Sequence, residues 1–212
     1  MEKAYLVLVD GRGAAIENLI HPLFSEERLR KIAGHKTDRQ KIDSACAELS
    51  YLAAFRMAFG EVKKDQYAYG QNNKPYFKDM KYGCLSVAHA GNIGACLIAP
   101  FACGVDIEEK TRDVSRIEQK IRFKEGGEEA DALRLWCAKE SYVKYTGEGL
   151  SKPFSELLLR GDAMLDEAGN KVSWVKTGES GRAVWAVSLN QETEIAVFMM
   201  EAEEAARFCV NP

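Results

Sequence analysis

The sequence predicts an α+β protein built on mainly antiparallel sheet. Long helical segments stand beside short strand-like runs, in an order of helix then strands that occurs twice. The runs are separated by Gly, Asn and Lys, which supply tight turns. No regular βαβ alternation, GxGxxG or Walker loop is present, which argues against a nucleotide-binding parallel sheet.

In order, "AYLVLV" (4–9) reads as a buried strand closed by the Asp10-Gly11 turn. Residues 25–33 read as a charged helix with Ser25 as its cap. Thr37 or Asp38 caps a longer helix running to Phe59 and ended by Gly60. Strand signals follow at "QYAYG", "PYF", "CLSVAHA" and "GACLIAPFACGVDIE", with Pro100 marking the junction between residues 1–101 and 102–212. The stretch "EEADALRLWCAKESYVKYTG" is the second long helix. Strands return at "SELLLR", "KVSWVK", "AVWAVSL" and "EIAVFMM", and a charged tail helix closes the pattern.

The 212 residues are 46% hydrophobic and 29% charged, a composition that supports a sizeable core. A net charge of −3, without aromatic-basic interleaving, argues against nucleic acid as a partner, so any phosphate chemistry needs a local basic patch. No apolar run has the length of a membrane span and the N-terminal run is too short for a signal peptide, so a cytoplasmic protein with no membrane partner is expected. The six cysteines form no CxxC pair and read as reduced, mostly buried thiols.

Two stretches carry candidate chemistry. In the strand "CGVDIEEK" (103–110), Asp106 and Glu108 project to one face, where two repelling carboxylates become useful around a divalent cation. Alone, the pair is equally a solvated strand end. In the helix "LWCAKESYVKYTGEGL" (135–150), Trp136, Glu140 and Lys144 fall on one face at i, i+4 spacing. Alone, that is an ordinary surface ion pair. Together they would place a third carboxylate and a cation beside Asp106 and Glu108.

Together, "GVDIE" and "WCAKESYVK" resemble the paired signature of the 4′-phosphopantetheinyl transferases, (I/V)G(I/V)D followed by (F/W)(S/C/T)xKE(S/A)xxK. The second half matches at Trp136, Cys137, Lys139, Glu140, Ser141 and Lys144; in the first, Cys103 replaces an aliphatic residue. "NNKPYF" is similar to the family's Gly-Lys-Pro segment, with Asn73 in place of Gly. "LSVAHAG" is similar to its Asn-(Leu/Ile)-Ser-His-(Ser/Thr)-Gly strand end, with Ala88 and Ala90 where hydroxyls are usual.

The resemblance implies two similar halves in one monomer, each a helix-backed, mainly antiparallel sheet, with the active site between 1–101 and 102–212. It implies transfer of the 4′-phosphopantetheine arm of coenzyme A to a serine of an apo acyl or peptidyl carrier protein, releasing adenosine 3′,5′-bisphosphate. Mg²⁺ (or Mn²⁺) would sit on Asp106, Glu108 and Glu140; Glu140 and Lys144 would be catalytic. Coenzyme A would contact Lys74, Pro75, His89, Asp106 and Lys144, with Arg28, Lys31 and Lys41 from the basic N-terminal segment on its 3′-phosphate. An acidic carrier would dock on a ridge of Arg112, Arg116 and Lys120. A non-catalytic binding module is the alternative; it would lose a metal ligand or the lysine, yet all four residues are present.

Overall fold

The chain begins with β1 (Ala4–Asp10), whose apolar residues are buried on both faces, as expected of a central strand. The computed structural model describes residues 2–20, 22–116, 118–121, 131–149 and 153–210, with the backbone alone for Gln119 and Lys120. A one-turn helix, α1 (Ile16–Leu19), follows; no pattern in the sequence announces it. In α2 (Glu26–Ala33) the Ser25 hydroxyl accepts from the Arg28 amide at 3.0 Å. In α3 (Asp38–Phe59) Thr37 does the same for Gln40 at 3.3 Å, and Gly60 ends the helix in the left-handed conformation.

The hairpin β2 (Tyr67–Tyr69) and β3 (Pro75–Phe77) precedes β4 (Cys84–Ala90), β5 (Ile93–Ala99) and β6 (Cys103–Glu109). The apolar run is two strands, divided at Pro100, where a ladder donor is missing and where the sequence marks a junction. Next come the short α4 (Glu118–Ile121) and α5 (Ala132–Thr146), then β7 (Leu158–Arg160), the unforeseen β8 (Ala163–Leu165), β9 (Lys171–Ser180), β10 (Ala183–Leu189) and β11 (Ile195–Glu201). The tail helix α6 (Ala202–Val210) follows directly.

Beside the β2-β3 hairpin, the described residues form two larger sheets, in the orders β11-β1-β5-β4 and β6-β10-β9-β8-β7. Their pairings are antiparallel, except that β11 runs parallel to β1. Strand alternation sorts three cores. Val7, Val9 and Ile98 turn toward Leu49, Leu52 and Ala53 of α3. Leu6, Leu8 and Leu97 meet Val105, Trp185 and Val187 between the sheets. Val184 and Ala186 face Leu135, Ala138 and Tyr142 of α5. The layers run α3, first sheet, second sheet, α5.

β11 and α6 return to the first layer, where Ala202, Ala205 and Cys209 join the core under α3. Arg56 of α3 donates to the Phe208 carbonyl and stacks on its ring.

Candidate active site

Alternation along β6 buries Val105 and Ile107 between the sheets and turns Asp106 and Glu108 toward α5. Gly104 sets how closely that helix lies. A Cβ there would sit 2.1 Å from the Ser141 carbonyl and 2.4 Å from the Tyr145 amide, so helix backbone touches strand backbone. α5 is capped by Asp131, which accepts from the Leu133 amide, and stopped by Gly147 in the left-handed region.

The helix motif then divides by face. Lys139 is fully buried and donates to the Phe154 carbonyl at 3.1 Å, anchoring the segment after the helix. Ser141 bonds Ser188 of β10 at 2.8 Å. Trp136, Glu140 and Lys144 take the opposite side. Lys144 Nζ lies 2.6 Å from Asp106 Oδ1, and Trp136 Nε1 donates to Glu108 Oε1 at 2.9 Å.

Asp106 keeps its other oxygen, Oδ2, buried with no hydrogen-bond partner. The Cys137 thiol feels that carboxylate, its pKa raised first by burial and then by the Asp106 charge, but its hydrogen bond goes to the Val184 carbonyl. Burial also raises the pKa of Glu140, and the Asp106 charge raises it further, against Lys144 and Arg112. Two hard-oxygen acids, one with an idle buried lone pair, fit an oxygen-preferring divalent cation. Glu108 shares their face but is engaged: Arg112 pairs with it, and the Arg112 guanidinium lies over the Trp136 ring at 4.8 Å. No group of three His, Cys, Asp or Glu side chains arranged to hold an ion occurs among the described residues. The structure thus brings Asp106, Glu140 and Lys144 together and leaves Glu108 clasped beside them.

A cavity of about 230 Å³ separates this cluster from the first half, with Lys74, Pro75, Ser86 and Val87 facing Glu140 and Lys144. Lys74 donates to the Tyr145 carbonyl at the end of α5, and burial lowers its pKa. Asn72 bonds the Gly147 carbonyl at 2.9 Å. Asn73 has φ +57°, the region that glycine adopts freely and asparagine tolerates, which accounts for Asn in the Gly position.

His89 is the last residue but one of β4, which is followed by the two-residue turn Gly91-Asn92, both at positive φ as a type I′ hairpin requires. Its ring reaches solvent, yet surrounding protein lowers its pKa. Asp43 opposes that shift, while Lys144, Lys31 and His35 add to it. Ala88, where a hydroxyl was expected, packs between the sheets.

The basic N-terminal segment separates. Arg28 is buried in its own network, 2.7 Å from Glu48 and 3.0 Å from the Tyr69 hydroxyl, with Tyr67 bonded as well. The guanidinium thus has protein partners of its own, and Arg28 also lines a cavity of about 250 Å³ together with Lys31. Lys31 lies over the Tyr69 ring at 4.9 Å within electrostatic reach of His89, while Lys41 pairs with Asp38. Of the basic ridge, residues 110–116 are turn and irregular backbone rather than helix, with the Arg112 amide on the Glu109 carbonyl and the Ser115 amide on Asp113. Arg116 is exposed; the side chain of Lys120, with residues Arg122 and Lys124, lies outside the described residues.

Arg182, in the turn between β9 and β10, escaped notice in the sequence. It grips Asp10 with two nitrogens (2.9 and 2.8 Å), Glu109 at 2.5 Å and the Gly91 carbonyl at 2.5 Å. One guanidinium thereby joins the end of β1, the His89 hairpin and the end of β6. Its partners lie 73 to 172 residues away, and no local pattern announces such a contact.

The family model of the 4′-phosphopantetheinyl transferase superfamily matches residues 102–197. The 4′-phosphopantetheinyl transferase Sfp of Bacillus subtilis (strain 168) is 31% identical over 99 residues, which cover 41% of this chain and 43% of that relative. The match thus spans less than half of the relative's length.

Proposed function

Residues 102–197 form a domain of the 4′-phosphopantetheinyl transferase superfamily, similar to the Sfp type, and from that premise we propose that this chain transfers the phosphopantetheine arm of coenzyme A to a serine of an apo carrier protein. One observation carries the reading: the Lys144–Asp106 pair, with the idle Asp106 oxygen beside Glu140, faces Lys74 and Pro75 across a cavity.

The serine oxygen forms a bond to the β-phosphorus, and the pyrophosphate P–O bond breaks to release adenosine 3′,5′-bisphosphate. Such a step is mostly positioning and electrostatics. Glu140, made more basic by burial and by Asp106, accepts the hydroxyl proton. Lys144 stands at the cavity to neutralise charge on the leaving phosphate. Lys31 extends the positive side toward the 3′-phosphate, His89 with its lowered pKa stands beside it as a hydrogen-bonding group, and Lys74 and Pro75 form the opposite wall. A divalent cation, Mg²⁺ in this proposal, would be held by Asp106 and Glu140 with Glu108 in reserve, and would supply neutralisation of the pyrophosphate oxygens.

Both walls of the cavity come from one chain, which supports a monomer as the working unit; gel filtration tests that. No helix among the described residues is long and apolar enough to cross a membrane, and we place the reaction in the cytoplasm. The central test incubates the protein with an apo carrier, coenzyme A and Mg²⁺ and weighs the carrier. A gain of one phosphopantetheine arm, lost in Asp106→Ala, is expected. Coenzyme A binding without transfer to any of several acyl and peptidyl carriers would instead indicate a binding module.

A further inference from the structure

The six cysteines sort by layer. Cys46, Cys96 and Cys209 lie in the core under α3, and Cys137 lies in the core under α5. Cys84 on β4 and Cys103 at the start of β6 share the core between the sheets. Those two strands are an edge of each sheet, and they run side by side in the same direction. The Val105 amide donates to the Ser86 hydroxyl at 3.0 Å, and a Cβ on Gly91 would lie 3.2 Å from the Cβ of Glu109. Two residues back from Ser86 and Val105, on the same strand faces, stand Cys84 and Cys103.

The electrostatics agree with that register. Burial raises the pKa of both thiols, Cys84 adds to the rise at Cys103, and Lys74 opposes it at each. Cys84 is partly exposed, whereas Cys103 is fully buried. The Cys103 thiol has a long contact to the Leu97 carbonyl, at 4.0 Å, as its hydrogen bond. Cys103 is also the position where the motif on β6 departs from its aliphatic pattern, and packing alone asks for no sulfur there.

We propose that Cys84 and Cys103 are an oxidisable pair that closes a reversible disulfide across the seam between the two sheets. A hydroperoxide supplies the oxidising equivalents. The Cys84 sulfur, the one solvent reaches, attacks a peroxide oxygen as the thiolate. The S–O bond forms, the O–O bond breaks, and the departing oxygen takes a proton, leaving a sulfenic acid. The Cys103 sulfur then attacks the Cys84 sulfur; the S–S bond forms, and the hydroxyl leaves as water with the Cys103 proton. Two thiols are oxidised and one peroxide bond is reduced. Lys74 favours the thiolate in the first step, while burial disfavours it, so the pair answers sustained oxidation rather than a brief pulse. A dithiol reductant reverses the bond by exchange. The cross-link restricts the unfolded chain, so the oxidised protein resists unfolding better than the reduced one. None of this rests on the transferase reading.

The test exposes folded wild type, Cys84→Ala and Cys103→Val to hydrogen peroxide, then unfolds each and counts alkylated cysteines by intact mass. Wild type should fall from six free thiols by two, and neither variant should lose a pair. Chymotryptic mapping without reduction should join the Cys84 peptide to the Cys103 peptide and leave Cys96 alkylated. Dithiothreitol should restore all six thiols. Oxidised wild type should melt higher than reduced, with no such shift in either variant. A bond from Cys103 to Cys96, a bond between two chains, or a paired loss that persists in Cys84→Ala overturns the proposal. So does retention of every thiol, or a Cys84 carried on to sulfinic acid while Cys103 stays reduced, since sulfurs that meet would close first. Should Cys103→Val fail to fold, Cys84→Ala and the peptide map decide.

Discussion

Glu140 occupies a place where its charge is costly. Burial and the neighbouring Asp106 carboxylate both raise its pKa in the folded chain. The sign of the consequence for stability is fixed. Between the ordinary glutamate pKa and the raised one, the folded state holds the extra proton, so stability falls as pH rises through that window. In metal-free buffer, Glu140→Gln should therefore raise the urea midpoint at neutral pH, with the difference closing as pH falls below the ordinary glutamate value. The same change should lower carrier modification by at least about 100-fold, the low end of what a general base contributes. A more stable and inactive variant would mark Glu140 as a residue kept for chemistry. The acid pair and Lys144 were legible in the sequence because period-2 and i, i+4 spacing decide which side chains share a face. The clasp on Glu108 was not. Arg112 followed the acids as one more basic residue, and only the turn at 110–116 points it back at Trp136.

At the scale of elements, each long helix rests on its sheet through a glycine. Gly104 of β6 meets the backbone of α5, and Gly94 of β5 meets the α3 backbone at Cys46 and Ala47, with a Cβ there only 2.2 Å away. The counterparts cannot shift without moving a helix. Gly104→Ala should destabilise by about 1–3 kcal/mol or more as an overpacked contact. It should also lengthen the Lys144–Asp106 approach and lower transfer more than ten-fold at a temperature where the variant is folded; chemical denaturation and the carrier assay separate the two effects. The caps are milder: Ser25→Ala or Thr37→Ala should each cost about 1 kcal/mol by the same denaturation measurement. Those caps, and the glycine stop at Gly60, were readable because capping chemistry is local. α1 and β8 were not, since short elements owe their form to what they pack on rather than to their own pattern.

Across the whole molecule, Arg182 and β11 decide how the layers are held. Arg182 is largely buried against Asp10 and Glu109, and its removal leaves the buried Asp10 carboxylate with only the Arg12 amide beside it. Arg182→Ala should cost about 3 kcal/mol near neutral pH, in the range for breaking a buried pair. Burial alone would raise the Asp10 pKa, but Arg182 and the Arg12 amide overcome it, and the net shift is downward. That stabilisation is present above the ordinary aspartate pKa and is lost as pH falls through the lowered value. The gap between Arg182→Ala and wild type should therefore close in strong acid, as melts across a pH series would show. Nothing in the linear order of residues pairs position 10 with 182, which is why the layer contact could not be read ahead of the coordinates.

The parallel pairing of β1 with β11 has a consequence for the order of assembly. The strands of the second sheet lie within one uninterrupted stretch, 103–189, and can gather as soon as that stretch has left the ribosome. The first sheet must wait, since its outer strand is made after every other strand. A nascent chain paused after residue 189 would show a protected second sheet while β1 still offered a bare edge, inviting chaperones or a neighbouring copy until β11 emerged to cover it.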